Sequence, residues 1–200
     1  MLSFEMLKLA LINLLRLKSY KYSDDPLFTL ASGRKSPYYF NCKSTYLHPE
    51  GMELIGRMIF EVIKGRGIEA TGGLELGAIP MSCAVSLISQ IEGEPVASFI
   101  VRKDKKDHGY ISAIEGDVKP GQKVAIVDDV ITTGGSTIKA IEAAQAKGLN
   151  VVMVIVIVDR QEGGREKIQE VLPGVEIVAL TLRDEVMTDE QRTKAGLPKR

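Results

Sequence analysis

The stretch VVMVIVIVD at 151–159 has no alternation of polar and apolar residues. A strand that is apolar at every position must be covered on both faces, which means a parallel sheet with helices on each side. The surrounding sequence agrees. KVAIV precedes a Gly-Thr-rich turn and a helical stretch at 136–147. PVASFIV follows a helical stretch at 80–90, a short strand is expected near 68–71, and VEIVALTL supplies another. Strands alternating with helices build βαβ units, so the fold class is α/β, with a central, mainly parallel sheet flanked by helices.

The front of the chain is different. Phe4, Leu7, Leu11 and Leu14 recur at helical spacing behind Ser3, a candidate N-cap, and predict an amphipathic first helix. The stretch has the apolar weight of a signal peptide, but it lacks a basic n-region and a small-residue cleavage site and carries Glu5 and Lys8. No other stretch approaches the ~18 uninterrupted apolar residues of a membrane span, so the chain reads as soluble, with no membrane partner. KYSDDPLFTLASGRKSPYYFNCKST mixes turn signals with short aromatic runs. It is expected to form hairpin-like strands, a small N-terminal hood over the carboxyl edge of the sheet. HPEGMELIGRMIFEVIKGRG then predicts a helix with Pro49 in its first turn, ending at Gly65. The division is a single domain over 1–200, with about 1–45 supplying helix and hood and about 46–185 the α/β core.

Lys+Arg and Asp+Glu both number 26, so the chain has no bulk attraction for nucleic acid and none is expected as a partner. Cys42 and Cys83 match no metal-ligand spacing and no disulfide framework. Free thiols fit the cytoplasm, and both are expected to be small buried residues.

The chemistry concentrates in VAIVDDVITTGGST at 124–137. Ligands of open α/β sheets bind beyond the carboxyl ends of the strands. Apolar residues deliver Asp128 and Asp129 to such an end, a loop is expected from Val130 to Gly135, and a helix begins near Ser136. Thr132, Thr133, Gly134, Gly135 and Ser136 offer consecutive backbone N–H groups and hydroxyls at a helix N-terminus, an arrangement suited to a phosphate monoester. The two acids suit ribose hydroxyls or the surroundings of a Mg²⁺ ion. A plain capped strand–helix junction would need neither the second acid nor the length of the loop. There is no Lys before Ser136 or Thr137, so this is not a Walker A loop, and no GxGxxG occurs.

These residues resemble the phosphoribosyl pyrophosphate signature of the type I phosphoribosyltransferases. FTLASGRKSPYYFN, GGLELGAIP, RKDKKDHG and VDRQEGGRE, in that order from about 28 to about 166, resemble the orotate branch of that superfamily. The resemblance implies a type I phosphoribosyltransferase-like fold. It also implies transfer of a phosphoribosyl group from 5-phospho-α-D-ribose 1-diphosphate to orotate, with Mg²⁺ as cofactor, in a homodimer whose active sites are shared across the interface. It carries Asp128 and Asp129, with Val130, Ile131, Thr132, Thr133, Gly134, Gly135 and Ser136, to the donor. No residue is assigned as a metal ligand.

The resemblance also carries Arg102, Lys103, Lys106 and His108 to the donor, on a loop reaching the neighbouring subunit, with Lys106 as the catalytic lysine. Mobile cations there would stabilise charge on departing diphosphate. Composition alone would make this run a solvated loop, and that reading stands for Lys105. Thr132 and Arg160 are matched to orotate. Arg160 follows 151–159, where a planar fork suits a carboxylate, although a partner in Asp159 or Glu162 would also account for it. Tyr39 and Phe40 would give the pyrimidine a flat apolar surface, or pack as ordinary strand aromatics. Ala31 and Glu75 stand where some relatives have lysines. Gly72, Gly73 and Gly77 are expected to let the backbone approach diphosphate. His48 is given no role. The rival readings are a phosphoribosyltransferase for another base, and a non-catalytic sensor of phosphoribosyl pyrophosphate that binds nucleic acid.

Overall fold

The computed structural model describes residues 3–25, 28–29, 35–103 and 113–194. Helix α1 (Phe4–Lys18) starts where expected, with Ser3 Oγ accepting the Met6 N–H at 3.3 Å. Strands β1 (Tyr20–Tyr22), β2 (Phe28–Thr29), β3 (Lys35–Ser36) and β4 (Tyr38–Phe40) form two small antiparallel pairs, β1 with β4 and β2 with β3. Helices α2 (Lys43–Tyr46) and α3 (Pro49–Ile63) follow, α3 beginning on its proline as the sequence predicts.

The core is then built from β5 (Ala70–Leu74), α4 (Ile79–Ile91), β6 (Ala97–Val101), β7 (Ile114–Glu115), β8 (Lys123–Ile131), α5 (Gly135–Ala146), β9 (Asn150–Asp159), α6 (Gly164–Val171), β10 (Glu176–Leu182), α7 (Arg183–Val186) and α8 (Asp189–Lys194). The sheet order is β10-β9-β8-β5-β6-β7, parallel throughout except for the short edge strand β7. Alternate side chains of β8 and β9 enter opposite cores. Ala125, Val127, Met153, Ile155 and Ile157 pack with α1, α3 and α4. Val124, Ile126, Val154 and Val156 pack with α5 and α6. That double coverage is why 151–159 shows no alternation.

Two boundaries differ from the sequence reading. The strand expected at 68–71 runs from Ala70 to Leu74, so Gly72 and Gly73 lie inside it and not in a ligand loop. Their lack of side chains serves packing: a Cβ on Gly72 would collide with the carbonyl and ring of Phe99, and one on Gly73 with the Val127 carbonyl. Strand β8 extends through Val130 and Ile131, which pair with Val158 and Asp159, so the loop begins only at Thr132. Cys42 is buried as expected, but Cys83 is exposed on α4. Among the described residues, no helix is long and apolar enough to cross a membrane.

Strands β5 and β6 are laid down in one direction from β5, and β8, β9 and β10 in the other. The order therefore reverses between β5 and β8, and in such sheets the crevice at the carboxyl ends of those two strands receives the ligand. Gly72→Ala should lower the free energy of unfolding by about 1–3 kcal/mol through overpacking against Phe99. Equilibrium urea unfolding checks this, and an unchanged midpoint would contradict the close approach of β5 and β6.

Candidate active site

Asp128 and Asp129 stand near the carboxyl end of β8, at the crevice. Asp128 is only 5% exposed. Its Oδ2 accepts from Ser136 Oγ at 2.7 Å and Thr137 Oγ1 at 2.8 Å, and its Oδ1 from the Asp129 N–H at 2.9 Å. The Ser136 hydroxyl is thus turned to the acid within the chain. Burial pushes the Asp128 carboxyl up to about 6, against the Ser136 and Thr137 hydrogen bonds, with the Asp129 charge adding to the rise. Asp129 is also raised by burial, and Lys43, whose Nζ lies 3.7 Å from Asp129 Oδ2, opposes the rise. Lys43 reaches the acids from α2, a contact with no local signal in the sequence.

Opposite the acids is the 75–78 turn between β5 and α4, in which the Glu75–Leu76 peptide is cis. A Cβ on Gly77 would sit 3.1 Å from Asp128 Oδ1 and 3.3 Å from Asp129 Oδ1. Both carboxylates therefore face the glycine, and any side chain there would crowd the crevice. Glu75 takes the Lys103 N–H at 2.8 Å, tying this turn to the end of β6.

After β8, Thr132 is half-buried and Thr133 is exposed. Gly134 caps α5 with φ 79°, in the left-handed region that favours glycine. At Gly135 a Cβ would meet nothing within 4 Å, so the first turn of α5 opens onto free space. The leading N–H groups of a helix lack intrahelical partners, and together they make an anion cradle. Val130 packs on the core and Ile131 is buried in it; the Ile131 carbonyl accepts the Arg160 N–H at 3.0 Å.

That backbone bond brings Arg160 to the same edge. Arg160 is 5% exposed, its guanidinium lies 5.0 Å from the Tyr38 ring centre, and its Nη2 is ion-paired with Glu162 Oε1 at 2.8 Å. Nε and Nη2 are both shut off from solvent without a hydrogen-bond partner. Buried donors of this kind are costly unless something fills the place before them. Asp159 is taken by Arg165 and by the Gln161 N–H. Of the partners open to Arg160 in the sequence, Glu162 is the one beside it.

The aromatic at Arg160 is Tyr38, not Tyr39 or Phe40. Alternation in β4 sends Tyr39 to the other face, where it stacks with Phe28 at 5.8 Å, while Phe40 is buried against Tyr20 at 5.0 Å. Arg102 lies 3.4 Å from Glu115, and its Nε is buried without a partner. Lys103 is exposed. Lys106 and His108 lie outside the described residues.

A hood over a mostly parallel sheet, with an acid pair and an anion-cradling loop at the switch point, defines a protein of the type I phosphoribosyltransferase fold. Residues 81–198 match the family model described as uracil phosphoribosyltransferase, a segment that holds the acid pair and leaves out the hood. The orotate phosphoribosyltransferase of Aquifex aeolicus is 44% identical over 170 residues, 85% of this chain and 92% of that one. The crystal structure of Mycobacterium tuberculosis orotate phosphoribosyltransferase in complex with Fe(III) dicitrate superposes with a TM-score of 0.78 at 34% identity, covering 91% and 99% of the two chains. The same enzyme in complex with 5-phospho-α-D-ribosyl 1-diphosphate gives 0.71 at 28% identity, over 91% and 92%. The chain belongs to the orotate phosphoribosyltransferase family.

The raised Asp128 carboxyl has a consequence for stability. An unfolded Asp releases its proton near 4, whereas the folded one holds it to about 6. The folded state therefore binds more protons in that window, and stability falls as pH rises through it. In Asp128→Asn this component should vanish. Urea unfolding between pH 4 and 7 should show wild type losing on the order of 2 kcal/mol relative to the variant. Parallel pH profiles would contradict a buried, strained carboxylate.

Proposed function

We propose that this chain is an orotate phosphoribosyltransferase. It transfers the phosphoribosyl group from 5-phospho-α-D-ribose 1-diphosphate to orotate, releasing diphosphate and orotidine 5′-phosphate in the de novo route to UMP. The observation that carries the acceptor is Arg160, a buried guanidinium with two unsatisfied donors on the same edge as the acid pair. A carboxylate-bearing base supplies what those donors lack, and uracil, which has no carboxylate, does not.

In this reading the 5′-phosphate rests on the N–H groups of the loop from Thr132 to Ser136, at the N-terminus of α5. Asp128 and Asp129 receive the ribose hydroxyls and stand beside positive charge developing on the sugar, which their negative charge stabilises. With phosphate and ribose fixed, the anomeric carbon is held against the base nitrogen, and this positioning removes much of the entropic barrier. Diphosphate leaves toward the Gly77 turn and the segment carrying Arg102, Lys103, Lys106 and His108. Lys106 neutralises its charge, and exclusion of water from the crevice keeps the donor from being hydrolysed.

Mg²⁺ fits the donor set. No group of three or more His, Cys, Asp or Glu among the described residues can hold a metal ion. Mg²⁺ commonly takes one or two carboxylates and completes its shell with substrate phosphate and water. The Asp128 and Asp129 oxygens that converge on Gly77 are the pair that would face it. When bound, it supplies neutralising charge to the diphosphate.

The working unit is a homodimer in which the 102–108 segment serves the neighbouring site. Leu87 and Ile91 support such a partner: they lie one turn apart on α4 and are 64% and 71% exposed. The free thiols Cys42 and Cys83 support a cytoplasmic location.

Arg160→Ala should raise the KM for orotate by at least about thirtyfold and leave the KM for the phosphoribosyl donor nearly unchanged. Arg160→Lys should recover little, since a point charge does not replace the planar fork. Steady-state kinetics with each substrate varied in turn checks this, and equal effects on both KM values would overturn the acceptor assignment. Lys106→Ala should cut kcat strongly with little loss of donor binding, and near-normal turnover would refute its role.

A further inference from the structure

Asp128 and Asp129 are consecutive in β8, and consecutive side chains of a strand leave on opposite faces of the sheet. Their partners follow that rule. Asp128 is engaged by Ser136 and Thr137 of α5, and Asp129 by Lys43 of α2, which packs on the other core. Yet the two carboxylates also come together. A Cβ on Gly77 would lie 3.1 Å from Asp128 Oδ1 and 3.3 Å from Asp129 Oδ1, so one oxygen of each acid borders the same small space. Neighbouring carboxylates repel each other, so a convergence of this kind has to be held.

The side chains that hold it engage the other oxygen of each acid. Asp128 Oδ2 accepts from Ser136 Oγ at 2.7 Å and from Thr137 Oγ1 at 2.8 Å. Asp129 Oδ2 lies 3.7 Å from Lys43 Nζ. Asp128 Oδ1 accepts the Asp129 N–H at 2.9 Å and keeps a second lone pair for a ligand. The two hydroxyls on Asp128 are not equivalent. Ser136 is half-buried in the first turn of α5, beside the open space at Gly135. Thr137 is 1% exposed, so its hydroxyl has neither solvent nor ligand to turn to. Asp128 therefore keeps the Thr137 anchor whatever Ser136 does when a phosphate arrives.

We propose that Thr137 and Lys43 are positioning residues for the donor: each engages the Oδ2 oxygen of one acid from its own side of the sheet, and together they turn the two Oδ1 oxygens onto the space at Gly77, toward the ribose. This rests on the reading of the acid pair as the receiver of the donor's ribose hydroxyls. Thr137 and Lys43 act through the acids and not on the donor itself. Carboxylates already aimed lose little freedom when the sugar binds, and their charge stands where positive charge develops. The acceptor, bound at Arg160, depends on neither contact.

The test is calorimetric titration of the phosphoribosyl donor, with Mg²⁺ present, into wild type, Thr137→Val, Thr137→Ser and Lys43→Met. The orotate KM is measured in parallel at saturating donor, each variant well below its own melting temperature. Thr137→Val removes the hydroxyl at nearly constant shape and should weaken donor binding about tenfold, as expected for a lost hydrogen bond to a charged group. Thr137→Ser restores the hydroxyl and should return binding to within about threefold of wild type. Lys43 is exposed, so Lys43→Met leaves the core untouched; it should weaken donor binding about threefold, the scale of a partly exposed ion pair. The orotate KM should stay within about twofold throughout. Thr137→Val added to Asp128→Asn, and Lys43→Met added to Asp129→Asn, should each cost less than about twofold more, because the acid each acts through is gone. Undiminished losses in those backgrounds, no loss in either single variant, failure of serine to restore binding, or an equal rise in the orotate KM would overturn the proposal. Failure of wild type to bind the donor at all would instead overturn the reading of the acid pair on which it stands.

Discussion

Strands β8 and β9 lie side by side along nearly their full length, and their pairing runs on to Ile131 opposite Asp159. The rest of the molecule is arranged around that pairing. It requires helices on both faces, because neither strand has a polar side to give to water. It also ends both strands at the same level, so that the acids of one and the arginine after the other share an edge. The backbone bond from Arg160 to the Ile131 carbonyl closes the pair just where the anion loop begins. A slip of one residue would turn Asp128 out of its pocket and break its contacts with Ser136 and Thr137.

The electrostatics follow from that placement. Asp128 and Asp129 are adjacent carboxylates taken largely out of water, which costs free energy in the free protein and is partly offset by two hydroxyls and Lys43. Across the edge, the Arg160 guanidinium is buried with donors to spare. Two adjacent carboxylates taken out of water on one side, and on the other a buried guanidinium paired with Glu162 but with donors that make no hydrogen bond, are a poor arrangement for stability. It is a good one for a substrate pair in which a sugar gains positive charge and a base carries a carboxylate. Its cost falls mainly on the ligand-free protein.

Much of this was legible in the sequence because it is written locally. The Ser3 cap, the Pro49 start, the unbroken apolar run at 151–159 and the acid pair before a Thr-Gly loop each sit within a few neighbouring residues. What was not legible depends on distant contacts. Gly72 and Gly73 read as loop glycines until Phe99 and Val127 are seen against them. The YYF of β4 does not say which ring lies beside Arg160, since in a strand that short only its partners fix the phase; it is Tyr38. Lys43 comes to the acid pair from α2, and no spacing announces it.

The most direct measurement is a set of parallel assays with Mg²⁺ and 5-phospho-α-D-ribose 1-diphosphate, offering orotate, uracil, adenine and hypoxanthine in separate reactions. The account predicts consumption of orotate alone, with turnover stopping when Mg²⁺ is withdrawn. Turnover of uracil or a purine in place of orotate would contradict the role given to Arg160. Tight donor binding without turnover of any base would contradict the proposal that this chain is an enzyme.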